Sequence, residues 1–225
     1  MAHGGHSPGG RIGRNCAAVR LSAGPNLLVG RQGRLPRPPR RRSGPMRVIA
    51  GSAKSRKLII PKGATIRPTG DMVREALFAS LAYRTIDARF GDLYAGSGSV
   101  GIEALSRGAA HCVFIEKNPR CIEALRTNLT VTGFEDQAEI VRGDCLKLIE
   151  PVWHREPLDI VFMDPPYQDS AEELLQKVLR LATETGRECL IVVQCERGME
   201  PSVPPDKAKR YGSTMLLYYE VGALP

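Results

Sequence analysis

The run LDIVFM ends in Asp164-Pro165-Pro166-Tyr167. Two consecutive prolines fix φ and remove two N–H donors, so this segment is stiff and offers acceptors only. The acceptors are the Asp164 carboxylate and the Pro165 carbonyl, with Pro166 holding the latter rigid. The Tyr167 ring follows and can stack on a flat partner. An ordinary strand exit is the plainer reading of the same four residues.

Three further acids stand where a second ligand can be held. In DLYAGSGSVGIEAL, Gly96, Gly98 and Gly101 fit GxGxxG between a strand and a helix, with Tyr94 and Ser97 in the same turn. Such glycines allow a tight turn and close approach of a ligand to the backbone. Glu116 follows about 20 residues on, at the end of the next strand, where a carboxylate can accept both hydroxyls of a ribose. Lys117 adjoins it. Asp92 precedes the glycines, and a carboxylate there opposes a pyrophosphate on the helix N-terminus. It suits a cation without phosphate, and S-adenosylmethionine, with an ammonium and a sulfonium, is such a ligand. Asp144, followed by Cys145, ends the next strand and can accept from an adenine amino group. Asp92 can equally cap a turn, and Asp144 can N-cap the helix after it.

These residues need strand ends to present them. RFGDLYA, HCVFIE, AEIVRGD, LDIVFMD and CLIVVQCE read as strands. Helical stretches separate them: SVGIEALSRG, PRCIEALRTNLTVTG opened by Pro119 and closed by Gly133, a short CLKLIE, and SAEELLQKVLRLATETG. KAKRYGSTMLLYYEV reads as a closing hairpin. The alternation implies a mainly parallel, seven-stranded α/β sheet covered on both faces, with one antiparallel strand at or near an edge. Ahead of it, MRVIAG and RKLIIP read as a small β-hairpin, and TGDMVREALFASLA as a helix N-capped by Thr69 or Asp71.

Charge divides the chain. Residues 1–45 hold nine of the 32 Lys and Arg and no acid, which leaves 23 basic against 24 acidic residues. Their Gly, Pro and Arg content predicts a disordered basic extension. It is read as an upstream extension with Met46 the working start; an organelle-import leader is the alternative. Residues 46–70 then carry Arg47, Lys54, Arg56, Lys57, Lys62 and Arg67 before the first acid, Asp71. A basic leading segment on an acidic body can dock a polyanion, and composition alone fits a solvated face equally. The expected domains are therefore 1–45, 46–70 and 71–225. No apolar run reaches membrane-span length. The six cysteines form no CxxC or metal spacing, so free buried thiols and no metal are expected.

Together these motifs resemble the class I S-adenosylmethionine-dependent methyltransferases, and Asp-Pro-Pro-Tyr resembles the signature of those that methylate exocyclic amino nitrogens. Residues 46 to about 221 are similar to the RsmD family, bacterial 16S ribosomal RNA guanine-N2 methyltransferases. MRVIAG, RKL, DLYAGSGSVGIEALSRGA, FIEKNP and FMDPPY carry the resemblance, with RPTGDMVREALF its most specific part.

The resemblance implies a Rossmann-like fold and S-adenosylmethionine bound by Asp92, Tyr94, Gly96, Ser97, Gly98, Gly101, Glu116, Lys117, Asp144 and Cys145. Asp164, Pro165, Pro166 and Tyr167 would grip the amine and its base. Lys54, Arg56, Lys57, Arg67 and Arg74 are the expected RNA contacts; a solvated helix face is the alternative for each. The implied partner is ribosomal RNA or the assembling small subunit, met by a cytoplasmic monomer. Adenine N6 of DNA or RNA, or a glutamine amide, is the alternative target. A nicotinamide dehydrogenase leaves Asp-Pro-Pro-Tyr unexplained, and a non-catalytic RNA-binding protein has no need of it.

Overall fold

A computed structural model describes residues 46–61, 70–166, 168–198 and 201–222, with backbone alone at 168–170. The expectations for 1–45, Arg67 and Tyr167 lie outside the described residues.

Seven strands form one sheet in the order β3-β2-β1-β4-β5-β7-β6. They are β1 (Arg89–Leu93), β2 (His111–Glu116), β3 (Ala138–Arg142), β4 (Ile160–Met163), β5 (Cys189–Glu196), β6 (Lys207–Tyr211) and β7 (Thr214–Val221). The pairings among β1 to β5 are all parallel, and β7 runs antiparallel to both β5 and β6. The sequence expectation of one antiparallel strand near an edge therefore holds. The order reverses between β1 and β4, which opens a crevice at their carboxyl ends.

Apolar residues alternate to the two faces, because side chains along a strand do. Phe90, Phe114 and Phe162 pack with α1 (Asp71–Leu81), α2 (Ser99–Ser106) and α3 (Pro119–Thr132). Leu93, Ile115 and Met163 face α4 (Cys145–Arg155) and α5 (Gln168–Thr185). Among the described residues, no helix is long and apolar enough to cross a membrane.

Local signals set most boundaries. Asn118 caps α3 by accepting from the Arg120 N–H, Pro119 is its first residue, and Gly133 ends it at φ 78°. Three expectations need correction. The short CLKLIE helix runs on through Pro151 to Arg155. Cys145, Ile149, Val152 and Trp153 lie at i, i+4, i+7 and i+8 and are all buried. A proline inside a helix costs about 3 kcal/mol, and burying side chains of this size returns roughly 1.5–3 kcal/mol each.

Asp71 is not the N-cap of α1 but its first helical residue; Gly70 precedes it without a side-chain cap. There the carboxylate favours the helix dipole and meets Arg74 at 3.0 Å.

MRVIAG and RKLIIP pair through one bridge, Arg47 to Lys57, rather than as two strands. Side chains from the helices take the backbone groups that a longer ladder would use. Glu103 of α2 accepts from the Ile49 and Ala50 N–H groups at 2.7 and 3.0 Å. Asn128 of α3 accepts from the Ile59 N–H at 2.7 Å and donates to the Ile59 carbonyl at 3.0 Å.

Candidate active site

The carboxyl end of β1 carries Asp92, only 2% exposed. Its Oδ2 accepts the Gly101 N–H at 2.8 Å, so a strand carboxylate caps the first turn of α2. Burial pushes Asp92 up to about 8; the Gly101 hydrogen bond opposes this, while Asp164 and Glu116 push further up. A buried carboxylate held short of full ionisation is what an incoming cation would relieve.

The chain leaves β1 through Tyr94, a non-glycine residue at φ 62°, then Gly96 at 57° and Gly98 at 81°. The glycines also serve packing. A Cβ on Gly101 would lie 2.3 Å from the Phe114 ring and 2.6 Å from the Cys112 sulfur, and one on Gly98 would lie 2.2 Å from Leu125. The turn closes through Gly98 N–H to the Ala95 carbonyl at 2.8 Å. Ser97 is buried, and its carbonyl accepts from Asn128 Nδ2 at 2.9 Å.

Glu116 ends β2. Its Oε2 accepts the Gly96 N–H at 2.7 Å, and its Oε1 those of Lys117 and Asn118, both at 2.8 Å. A carboxylate has about four acceptor directions, so these three bonds fix its orientation and leave acceptor capacity at the strand end. The Lys117 side chain is exposed.

Asp144 is exposed and N-caps α4 by accepting from the Leu146 N–H at 3.0 Å. Its second oxygen stays available. The Cys145 thiol is buried, packs near the Ile115 carbonyl at 3.8 Å, and is pushed up to about 12 chiefly by burial.

Across the crevice, Asp164 follows β4. Burial pushes it up to about 7, against a hydrogen bond from Gln194 that lowers it. That bond runs from Gln194 Nε2 to Asp164 Oδ2 at 2.7 Å. Pro165 is half-buried and Pro166 exposed, and neither has an N–H to donate. Since Leu93 pairs with Met163 in register, Asp92 and Asp164 stand at the mouths of adjacent strands.

Lys54, Arg56 and Lys57 are exposed, as an RNA-facing surface requires. Arg74 is not. It is wholly buried and cannot touch a macromolecule. It donates to the Arg47 carbonyl at 2.6 Å and to Asp71 at 3.0 Å, and its Nε lies 3.8 Å from Glu103. It fastens the basic segment to α1 and α2.

Two site residues escaped the sequence reading. Gln194 interrupts the apolar strand CLIVVQCE one residue beyond the Met163–Val193 pair, so the β4–β5 register would have pointed to it. Asn128 sits on the buried face of α3 between Leu125 and Leu129, where a polar residue signals a tertiary partner.

The donor set fits S-adenosylmethionine: carboxylates at three neighbouring strand ends, the most buried of them on the cation side, and no lysine or arginine among the cofactor residues except the outward Lys117. Comparison with known proteins agrees. The family model Conserved hypothetical protein 95 matches residues 46–220. Ribosomal RNA small subunit methyltransferase D of Escherichia coli K12 is 38% identical over 167 residues, covering 72% of this chain and 81% of that protein. The protein of the same name from Haemophilus influenzae is 34% identical over 164 residues, covering 72% and 84%. A solved hypothetical protein from Thermus thermophilus aligns with a TM-score of 0.66 at 29% identity, covering 78% of this chain and 99% of that one. An RNA methyltransferase from Salinibacter ruber, solved with S-adenosyl-L-homocysteine, shares the fold at 18% identity with a TM-score of 0.55, covering 70% and 95%. The chain belongs to the Conserved hypothetical protein 95 family, the RsmD family of S-adenosylmethionine-dependent methyltransferases.

Proposed function

We propose that the protein methylates the exocyclic N2 amine of a guanine in small-subunit ribosomal RNA. The observation that carries this is Asp164: a half-buried carboxylate at the mouth of β4, held by Gln194 and followed by two residues that cannot donate. The names of the relatives supply the RNA class, and the acceptor bracket supplies the amine.

An exocyclic amine is a weak nucleophile because its lone pair is delocalised into the ring. Asp164 accepts one N–H and the Pro165 carbonyl the other, which favours a pyramidal nitrogen and aims its lone pair. S-adenosylmethionine, when bound, supplies an activated methyl group and leaves as a neutral thioether. The proton that the methylated nitrogen must then lose passes to Asp164, whose position at about 7 suits both holding and releasing it. Tyr167 stacks on the base, and Pro166 keeps the Pro165 carbonyl rigid. Asp92 would hold the donor's ammonium, Glu116 its ribose and Asp144 the adenine amino group. Orientation supplies most of the acceleration. Lys54, Arg56, Lys57 and Arg67 meet RNA phosphates, which makes binding salt-dependent.

The test offers tritiated S-adenosylmethionine with immature small subunits, naked ribosomal RNA and DNA. Label is expected in RNA as N2-methylguanine, with a loss of roughly 10²-fold or more in Asp164→Ala. Label found as N6-methyladenine, or only in DNA, would overturn the reading.

A further inference from the structure

We propose that Gln194 is a positioning residue for the methyl-transfer step: its carboxamide fixes the Asp164 carboxylate in the orientation that leaves one oxygen for the base amine, and keeps it ionised. This rests on the role of Asp164 given above.

Among the described residues, the Gln194 side chain makes one hydrogen bond, to Asp164. It lies on β5 after five buried residues, Cys189 to Val193. Its Nε2 donates to Asp164 at 2.7 Å, while its Oε1 is buried without a hydrogen-bond partner among the described residues. A side chain serving only its own strand would be apolar here, or would be satisfied at both ends. One end is spent on the acid.

The geometry distinguishes the two carboxylate oxygens. Oδ2 is held by the amide, which sets the orientation in which Oδ1 is offered to an N–H of the base. A carboxylate without this tie could turn about its terminal torsion, which is broad, and the amine would meet a mobile acceptor. The tie also acts on charge, since donation to the ionised form favours it. The neighbouring titratable groups do not supply that help. Asp92 on β1 is itself an acid pushed up to about 8, so it supplies no positive charge, and the Cys195 thiol on β5, pushed up to about 11, is neutral near pH 7. Gln194 is thus the one group among the described residues that opposes the effect of burial on Asp164.

The sign follows. Removing the donor favours protonated Asp164, so the acid limb of methyl transfer moves to higher pH. Two substitutions separate this from packing. Gln194→Leu removes the donor and keeps the bulk. Gln194→Glu keeps the shape but sets a second carboxyl against Asp164, and two acids at this distance share a proton. If Gln194 were merely structural, the closer shape of Glu would make it the milder change. A positioning role makes Glu the more severe.

Single-turnover methyl transfer from saturating tritiated S-adenosylmethionine to immature small subunits is followed across pH for wild type, both variants and Asp164→Asn. The Asp164 carboxyl carbon is titrated by ¹³C NMR in wild type and the two Gln194 variants without RNA. For Gln194→Leu the expected loss is roughly tenfold at about pH 6.5, shrinking to within about threefold near pH 9. Its carboxyl titration moves upward, and Gln194→Glu moves further. S-adenosylmethionine affinity and the thermal midpoint stay close to wild type in the Leu variant. An equal loss at every pH, an unmoved Asp164 titration, or a milder Glu than Leu would overturn the proposal. Should Asp164→Asn retain the wild-type rate, the role of Asp164 itself falls. Should Asp164→Asn be inactive while both Gln194 variants titrate as wild type, only the Gln194 proposal falls.

Discussion

On the β1–β3 side of the crevice, carboxylates are tied to backbone. Asp92 caps Gly101, Glu116 takes three successive N–H groups, and Asp144 caps Leu146. On the β4–β5 side, one carboxylate is tied to one side chain. Backbone N–H groups in a turn move only if the turn moves. A carboxamide can be lost by a single substitution or turned by a rotamer change. The cofactor side is therefore built into the fold, whereas the acceptor side is set by two side chains over it. Changes on the first side should cost binding and stability together; changes on the second should cost rate.

The largest effect expected is on rate alone. Asp164→Asn should lower methyl transfer roughly 10²–10³-fold and leave S-adenosylmethionine affinity within about threefold, as read by single-turnover kinetics beside calorimetry. An equal loss of affinity would erase the distinction between the sides.

Gly101→Ala is its counterpart. The new methyl would meet the Phe114 ring at 2.3 Å and the Cys112 sulfur at 2.6 Å. Both belong to β2 in the core, so α2 must lift off the sheet. Overpacking of this kind costs about 1–3 kcal/mol, and the Gly101 N–H would leave Asp92. Thermal unfolding and cofactor affinity should both fall; a stable variant that binds normally would refute the account of the glycine turn.

The contrast also separates what the sequence made legible from what it did not. The glycine turn, Glu116 and the Asp-Pro-Pro run are local, and their chemistry is written in consecutive residues. Gln194 and Asn128 depend on strand register and on the docking of residues 46–61, which no short window contains. Arg74 misled for the same reason. An arginine just past a basic segment reads as surface until Glu103, 29 residues further along, is brought beside it. Pro151 misled in the other direction, because the local helix breaker loses to tertiary burial of Trp153. Cys145 adjoins a cofactor acid in sequence, yet helix geometry turns its thiol inward.

Asn128→Ala tests the junction of the cofactor side with the basic segment. It removes two bonds to Ile59 and one to the Ser97 carbonyl. Cofactor affinity should drop about tenfold, since a buried amide bond is worth about 1 kcal/mol and the carbonyl it leaves is unpaired. Hydrogen exchange at Ile59 should accelerate in parallel. Protection at Ile59 unchanged from wild type would show that the segment is held without Asn128, by Glu103 and Arg74.

The smallest effect concerns protons. In the cofactor-free protein Asp92 sits at about 8, above its unfolded value of 3.8. The folded state then binds the extra proton between those values. Stability attributable to Asp92 is fullest below about pH 4 and falls as pH rises toward about 8. A bound cation reverses this by favouring the ionised carboxylate, so binding expels a proton. S-adenosylmethionine affinity should rise from about pH 6 to pH 8. Calorimetry near pH 7 in two buffers of different ionisation heat should show proton release. In Asp92→Asn the rise should flatten and most of the released proton should vanish, while Gln194→Leu keeps both because its change lies across the crevice. If Asp92→Asn kept the full pH dependence, the proton would have to come from Asp164, and the cation would be felt chiefly on the acceptor side.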